Sequence, residues 1–331
     1  LALAAIPLNA PLVGWGLPHA TAPGRIKTFA PDEILPLEAL AEMRSTFVSP
    51  APDRNFGYPW WHYFVVASIQ APYLAVLKAT GSLSDPSPIY PFGLRDPVRT
   101  LEVLTIIGRL VSVVMGAGIV VASFFFARVL WDHRTGVVAA VLTMVNFLMV
   151  YYSRTGNLDV PAFFWTAIGM VIFATILVRG LTLSRAVWLG LFAALGIATK
   201  DQSVAIFLPL CLVLLLPRFN HTPGQPYRLR PLVIATVASI AVYLVATGMI
   251  VDPRRHVTHV YSLFFDPGRL WAAAAFSAPI AYQLFGFRAD PDDPQGKTWP
   301  PELYARIRPH IVTPDDRDAG RRRPSRARVP L

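Results

Sequence analysis

The chain has 331 residues, of which 54% are hydrophobic and only 15% charged, with a mean hydropathy of +0.46. A soluble domain carries roughly a quarter charged residues, and apolar runs of about 20 residues, long enough to cross a bilayer, recur here, so the composition excludes a soluble globular protein. The net charge of +10 does not point to nucleic acid: much of it sits in the terminal tract Arg321, Arg322, Arg323, Arg326 and Arg328, and most of the rest in short loops between apolar runs, where membrane orientation places it.

In chain order, residues 1–17 read as the outer end of a first membrane helix cut within it. No basic region or cleavage pattern marks them as a signal peptide. A long proline-rich region follows, from about 18 to 100. Within it, residues 34–47 have helical spacing, with Leu35, Leu37, Leu40 and Met43 apolar and Glu38, Glu42 and Arg44 polar, as in a helix lying on a membrane. Residues 58–79 open with Tyr58, Trp60, Trp61 and Tyr63 around His62, like an interfacial aromatic belt. They are interrupted by Gln70 and Pro72, so they either span or lie on the surface.

Clear spans are expected at 101–127, which carries Arg109 and the small residues Ser112, Gly116 and Gly118 for close packing, and at 137–152, 160–178 and 231–251. Residues 186–216 are too long for one helix. The charged Lys200-Asp201 would be costly at mid-bilayer, so two short helices meeting at a surface turn are expected. Residues 264–287, broken by Pro267, Gly268 and Pro279, give a weaker span. From about 288 the chain becomes a Pro/Arg-rich tail with few apolar residues, expected to be disordered. The organisation expected is a membrane domain over 1–287 and a tail over 288–331. The lone Cys211 sits in an apolar run and reads as a small packing residue.

Loop charge sets the orientation. Arg128, Arg134, Arg179, Arg185, Arg218, Arg228 and Arg230, against the single acid Asp132, mark one side as cytoplasmic. If 58–79 does not span, the other side holds Asp32 and Glu33 with Arg154, Asp159, Lys200, Arg254 and His256. If it does, the acidic pair faces the cytoplasm alone. The surface placement is favoured by Gln70, Pro72 and the surrounding prolines.

The adjacent Asp32 and Glu33 have two readings. One is a general base, or metal-assisting carboxylate, that activates an acceptor hydroxyl. The other is an N-cap with first-turn acids on the helix at 34–47. Arg154 could hold a phosphate through its planar fork or pair with Asp159. Lys200 could bind phosphate or simply end a helix, and Arg254, Arg255 and His256 form a basic outer loop suited to an anion. Together they describe carboxylates and phosphate-competent cations beside lipid, a place for an anionic headgroup. A transporter or lipid flippase is the alternative, but it would set ionisable groups deep within spans and show two similar halves.

The string Gly14-Trp15-Gly16-Leu17-Pro18, followed by Phe29-Ala30-Pro31-Asp32-Glu33, resembles the first outer loop of the GT-C membrane glycosyltransferases, in the branch of protein O-mannosyltransferases and lipid A aminoarabinose transferases. Tyr58-Pro59-Trp60-Trp61-His62-Tyr63 is similar to that branch's Pro-Pro-Leu-Tyr-Tyr segment, with Trp60 in place of the second proline. Arg109-Leu110-Val111-Ser112, Tyr152-Ser153-Arg154 with Asp159, and Gly196-Ile197-Ala198-Thr199-Lys200 follow in the family's order, so the likeness covers about residues 12–260. The family's C-terminal membrane half has no counterpart.

The resemblance implies an all-α polytopic membrane protein. It would be a GT-C-like transmembrane bundle whose long first extracytoplasmic loop carries juxtamembrane helices. It implies transfer, with inversion, of a sugar from a polyprenyl-phosphate donor to a lipid, glycan or protein acceptor on the extracytoplasmic face of a cell membrane. No nucleic acid partner is implied, and a divalent metal is left open. Carried over by position, Asp32 is the catalytic carboxylate, Glu33 its neighbour and Asp159 a second acid. Arg154 and Lys200 lie at the donor phosphate with Arg254, Arg255 and His256, and Tyr58 and His62 lie in the substrate loop.

Overall fold

The computed structural model describes residues 5–7, 10–30, 32–48, 58–216 and 229–265, with side chains as far as residue 261. The chain divides into a unit of residues 1–259 and another of 260–331, and the first is described by itself. The weak span at 264–287, the tail, and the loop carrying Arg218 and Arg228 lie outside the described residues.

Among the described residues the elements are helical. They are α1 Glu38–Phe47, α2 Trp61–Ala79, α3 Pro97–Leu130, α4 His133–Val145, α5 Phe147–Ser153, α6 Asp159–Arg179, α7 Leu183–Ile197, a 3-10 turn Asp201–Ser203, α8 Val204–Leu215, α9 Arg230–Ala246 and α10 Pro253–Phe265. Among the described residues the only strand-like pairing is an isolated bridge between Leu83 and Leu94. Polar caps set the helix starts: the side chains of Asp96, Asp132, Asn146 and Thr182 accept the N–H groups of Arg99, Thr135, Met149 and Arg185. Each cap satisfies donors that a helix leaves unpaired in its first turn.

α3 and α6 are long and apolar enough to cross a membrane, and the pair α4–α5 is too if its 60° bend is one broken span; α7, α9 and the segment Asp201–Leu215 are shorter apolar helices. The chain is a multi-pass integral membrane protein. The span expected at 137–152 is therefore two helices, because Asn146 takes an extended conformation and its side chain starts a new helix. Two short helices meet at the Lys200 turn, as expected. Cys211 is exposed on α8, where its neighbour in a bilayer is lipid.

Close contacts give the directions. A Cβ on Gly116 would lie 2.3 Å from Ser153 Oγ and 3.9 Å from Val160, and one on Gly118 would lie 2.4 Å from the Phe164 ring. α3 and α6 thus run the same way, with α4–α5 returning between them. α7 and α9 also run together. Ser239 Oγ donates to the Gly190 carbonyl at 2.8 Å, and higher up Leu195, Ala198 and Ala246 share one core cluster. One end of the bundle therefore collects Arg109, the α5–α6 turn, the Lys200 turn, the end of α9 and the start of α10.

α2 begins at that same end, with the Trp60 indole against Gly248. It then runs back along the first turns of α3. Val66 meets Gly108, Gln70 Nε2 donates to the carbonyls of Leu104 (3.0 Å) and Pro36 (3.4 Å), and Leu74 and Leu77 join Leu101 and Leu104 in a cluster. α2 thus does not cross the bundle, in keeping with the surface reading. Gln70, which argued against a span, is the residue that fastens α2 to α3. The amphipathic helix begins at Glu38 and not at 34, with Leu37 at its N-cap position and no side-chain cap. Asp32 is therefore not a helix cap, and that alternative is overturned.

His62 is wholly buried near the start of α2, and neither ring nitrogen has a hydrogen-bond partner. Burial pushes its pKa down to about 3, so it is neutral in the fold, whereas in an unfolded chain it takes up a proton below about 6.5. The unfolded state then binds more protons in the window from about 6.5 down to about 3, and stability falls as pH falls through it, by at most about 1.4 kcal/mol per pH unit. Thermal unfolding of the detergent-solubilised protein should show a midpoint that drops between pH 7 and pH 5. His62→Leu should flatten that drop, and an unchanged slope in the variant would contradict this account.

Candidate active site

The bundle end is organised by a buried ion pair. Arg109 Nε and Nη2 donate to Glu33 Oε1 (2.7 Å) and Oε2 (2.8 Å), and Nη1 donates to the carbonyls of Val13 and Trp15, both at 2.6 Å. Glu33 Oε1 also accepts the Gly156 N–H at 2.7 Å. Both side chains are almost fully buried, 3% and 1% exposed. The guanidinium is thus shared between the N-terminal segment, the first loop and α3, and the carboxylate reaches on to the α5–α6 turn. A Cβ at Gly156 would sit 3.2 Å from Glu33 Oε1, so only glycine lets the backbone come this close without pushing the carboxylate aside. Glu33, expected beside the reacting groups, is consumed in this junction. Its neighbour Asp32 is exposed.

Beside the junction lies a cavity of about 270 Å³ lined by Leu12, Trp15, Phe29, Ala30, Arg109, Tyr151, Arg154 and Thr155. The Trp15 and Phe29 rings meet edge to face at 4.3 Å and are both more than half exposed. The cavity therefore offers aromatic surface with Arg154 as a polar group, the usual make-up of a small-molecule pocket. Asp32, two residues along from Ala30, flanks it in the chain.

A second cavity, about 360 Å³, opens between α6 and α8. It is lined by Asp159, Ala162, Phe163, Thr166, Lys200, Gln202, Ser203 and Ile206. At its polar end Lys200 Nζ is paired with Asp159 Oδ1, and Lys200 also stands over the Tyr58 ring, 5.8 Å from its centroid. Asp159 is held by Asn157, whose Oδ1 accepts the Asp159 N–H at 3.2 Å. The pair is open to solvent, with the lysine side chain 22% and the aspartate 43% exposed. Its other end is apolar, with Phe163 and Ile206 exposed on the outer surface. The turn from Arg154 to Asp159 gives residues to both cavities.

α10 turns its basic residues inward. Arg255 pairs with Glu42 of α1 and donates to Ser45 Oγ (3.1 Å) and Thr46 Oγ1 (3.3 Å). His259 Nε2 lies 3.0 Å from Asp201 Oδ2, and His256 is buried against the Tyr243 ring at 5.7 Å. Burial and then the neighbouring His259 lower the His256 pKa, with Asp201 opposing. Arg254 alone of the expected basic cluster is exposed.

The structure thus gathers Asp32, Glu33, Arg154, Asp159, Lys200, Tyr58 and α10 at one end. It places Arg255 and His256 in packing contacts, and His62 lines neither cavity. Sequence reasoning missed Asn157, Glu42, Asp201 and His259 as partners of these groups. Arg109 carried a legible signal, a lone charge in an apolar run. Among the described residues no group of three or more His, Cys, Asp or Glu side chains is gathered to hold a metal ion.

Residues 102–250 match the family model described as dolichyl-phosphate-mannose-protein mannosyltransferase. This segment of the chain is similar to that family. It is a glycosyltransferase family, and the segment carries Arg109, Arg154, Asp159 and Lys200. Asp32, Glu33, Tyr58, His62 and α10 lie outside the match; of these Glu33 is joined to it through Arg109 and Gly156, Tyr58 through Lys200, and α10 through Asp201 and Tyr243. No curated protein and no solved structure matches the chain.

Removing one partner of a buried pair leaves an uncompensated charge. Arg109→Met, which also strips two carbonyls of their donor, should destabilise the protein by about 3–5 kcal/mol, read as a loss of folded protein in detergent. Glu33→Gln, which still offers an acceptor to the Gly156 N–H, should cost less. Equal costs would show that the charge of Glu33, and not its contacts, holds the junction.

Proposed function

We propose that the bundle end is the site of a membrane glycosyltransferase that moves a sugar from a polyprenyl-phosphate donor to an acceptor hydroxyl on the extracytoplasmic face. The observation that carries this reading is the pair of adjoining cavities sharing the Arg154–Asp159 turn within the family-matched segment. One has a cation above a lipid-facing apolar slot; the other is an aromatic pocket flanked by an exposed carboxylate. The polyprenyl chain lies along Ala162, Phe163 and Ile206, and its phosphate is drawn to Lys200, whose pairing with the half-exposed Asp159 is weak enough to be shared. The acceptor enters beside Trp15 and Phe29.

In the reaction Asp32 takes the acceptor's hydroxyl proton as that oxygen attacks the anomeric carbon. The bond from that carbon to the phosphate oxygen breaks, and the phosphate leaves with the electron pair, its charge held by Lys200 and Arg154. Attack from the face opposite the leaving group inverts the anomeric centre. Glu33 does no chemistry here; it fixes the loop that presents Asp32. The charged groups assigned to the reaction, Asp32, Arg154, Asp159 and Lys200, stand in loops and at helix ends and not deep in the spans, which favours this reading over transport.

The test is transfer from radiolabelled polyprenyl-phosphate sugars by the protein in liposomes. Asp32→Asn should lower turnover about 10²-fold or more with donor binding unchanged, and Lys200→Met should raise the donor KM about tenfold. Undiminished turnover with Asp32→Asn would overturn the assignment. In a Cys211→Ala background, single cysteines at positions 32 and 154 should both react with a membrane-impermeant maleimide added outside. Labelling from opposite sides would defeat the one-site model.

A further inference from the structure

Lys200 takes an extended conformation (φ −151°, ψ 119°) between α7 and the 3-10 turn. Its direction therefore depends on what pins the residues on either side. On the α7 side the Thr199 and Lys200 N–H groups both return to the Gly196 carbonyl, and on the other the Ser203 N–H donates to the Lys200 carbonyl. Beyond the backbone, Lys200's own side chain is tied, among the described residues, only to the solvent-open Asp159 and the Tyr58 ring, and the shielded restraint beside it is the side chain of Asp201, held by His259 Nε2 at 3.0 Å. His259's side chain is fully buried and Asp201's is 16% exposed. A bond to a carboxylate shielded in this way is strong and directional.

His259 belongs to a helix anchored elsewhere. Arg255, one turn before it, lies on the same face and grips Glu42, Ser45 and Thr46 of α1. His256 packs on Tyr243 of α9, while Arg254, Val257 and Thr258 are exposed. One face of α10 therefore reaches α1, α9 and the Lys200 turn at once, and α1 follows directly on the loop that carries Asp32. The family match ends at residue 250, before this helix begins.

We propose that α10 is a strap that sets the position of Lys200 relative to the first loop, with His259 as a positioning residue acting through Asp201 and Arg255 as the strap's anchor. The proposal rests on the reading of Lys200 as a donor-phosphate group. Loss of the His259–Asp201 bond lets Lys200 swing without removing it, so the effect falls on donor recognition.

In the liposome assay, His259→Ala should raise the donor KM about tenfold, the worth of one charge-assisted hydrogen bond, with kcat changed less than about threefold. His259→Gln, whose amide N–H can reach Asp201, should recover most of the loss. Asp201→Asn, which keeps the shape and weakens the bond, should raise the donor KM a few-fold, and this variant decides the matter if His259→Ala fails to fold. On a Lys200→Met background His259→Ala should add nothing to the donor KM. A wild-type protein with no transfer activity would remove the donor reading itself and the strap with it. Active wild type with an unchanged donor KM in His259→Ala and Asp201→Asn, or a full further rise on the Lys200→Met background, would overturn the strap alone.

Discussion

The fold of the bundle end depends on one guanidinium. Arg109 enters an apolar helix at a position where an unpaired charge would be expensive, and its cost is offset by a bidentate carboxylate and two backbone carbonyls. The same contacts close the N-terminal segment, the first loop and the α5–α6 turn around a single point. A buried pair of this kind is weak evidence for net stability. Its contribution is geometric: with Glu33 fixed, Asp32 is held at the surface, and with Gly156 drawn in, the Arg154–Asp159 turn faces both cavities.

From this junction outward the charged groups fall into two kinds. Arg109, Glu33, Arg255 and Glu42 are shielded from solvent and matched, and they hold segments together. Asp32 and Arg254 are exposed, while Lys200 and Asp159 form an open pair. Buried pairs resist rearrangement, whereas exposed ones gain little from their partner and give it up to a ligand at small cost. The division separates groups that hold segments together from groups left open to a ligand, and it does not follow residue type.

Much of this was legible in the residues. Apolar runs located the long helices α3 and α6, the Lys200-Asp201 pair located the turn between α7 and α8, and Gln70 with Pro72 marked α2 as a helix that does not cross the bundle. Three features were not legible. The break at Asn146 lies in an unbroken apolar run, because an asparagine can cap a new helix or continue an old one and only packing decides. The start of the amphipathic helix at Glu38 was hidden by its apolar period, which extends back past Pro36. The partners of the basic loop were hidden because Glu42 and Asp201 lie on helices remote in sequence. A basic cluster reads the same whether it awaits an anion from solvent or from its own chain.

The length of α3 has a consequence of its own. Its 34 residues make a rod of about 50 Å, against roughly 30 Å of bilayer hydrocarbon, and α2 is fastened to its first turns. The rod joins the membrane-embedded helices to the roof of the site as one stiff member, with Arg109 a third of the way down. A change in bilayer thickness is met by tilting such a helix, and tilting it carries the roof, the loop of Asp32 and the mouth of the aromatic cavity together. Lipid composition thereby becomes a mechanical input to how high the site stands above the headgroups.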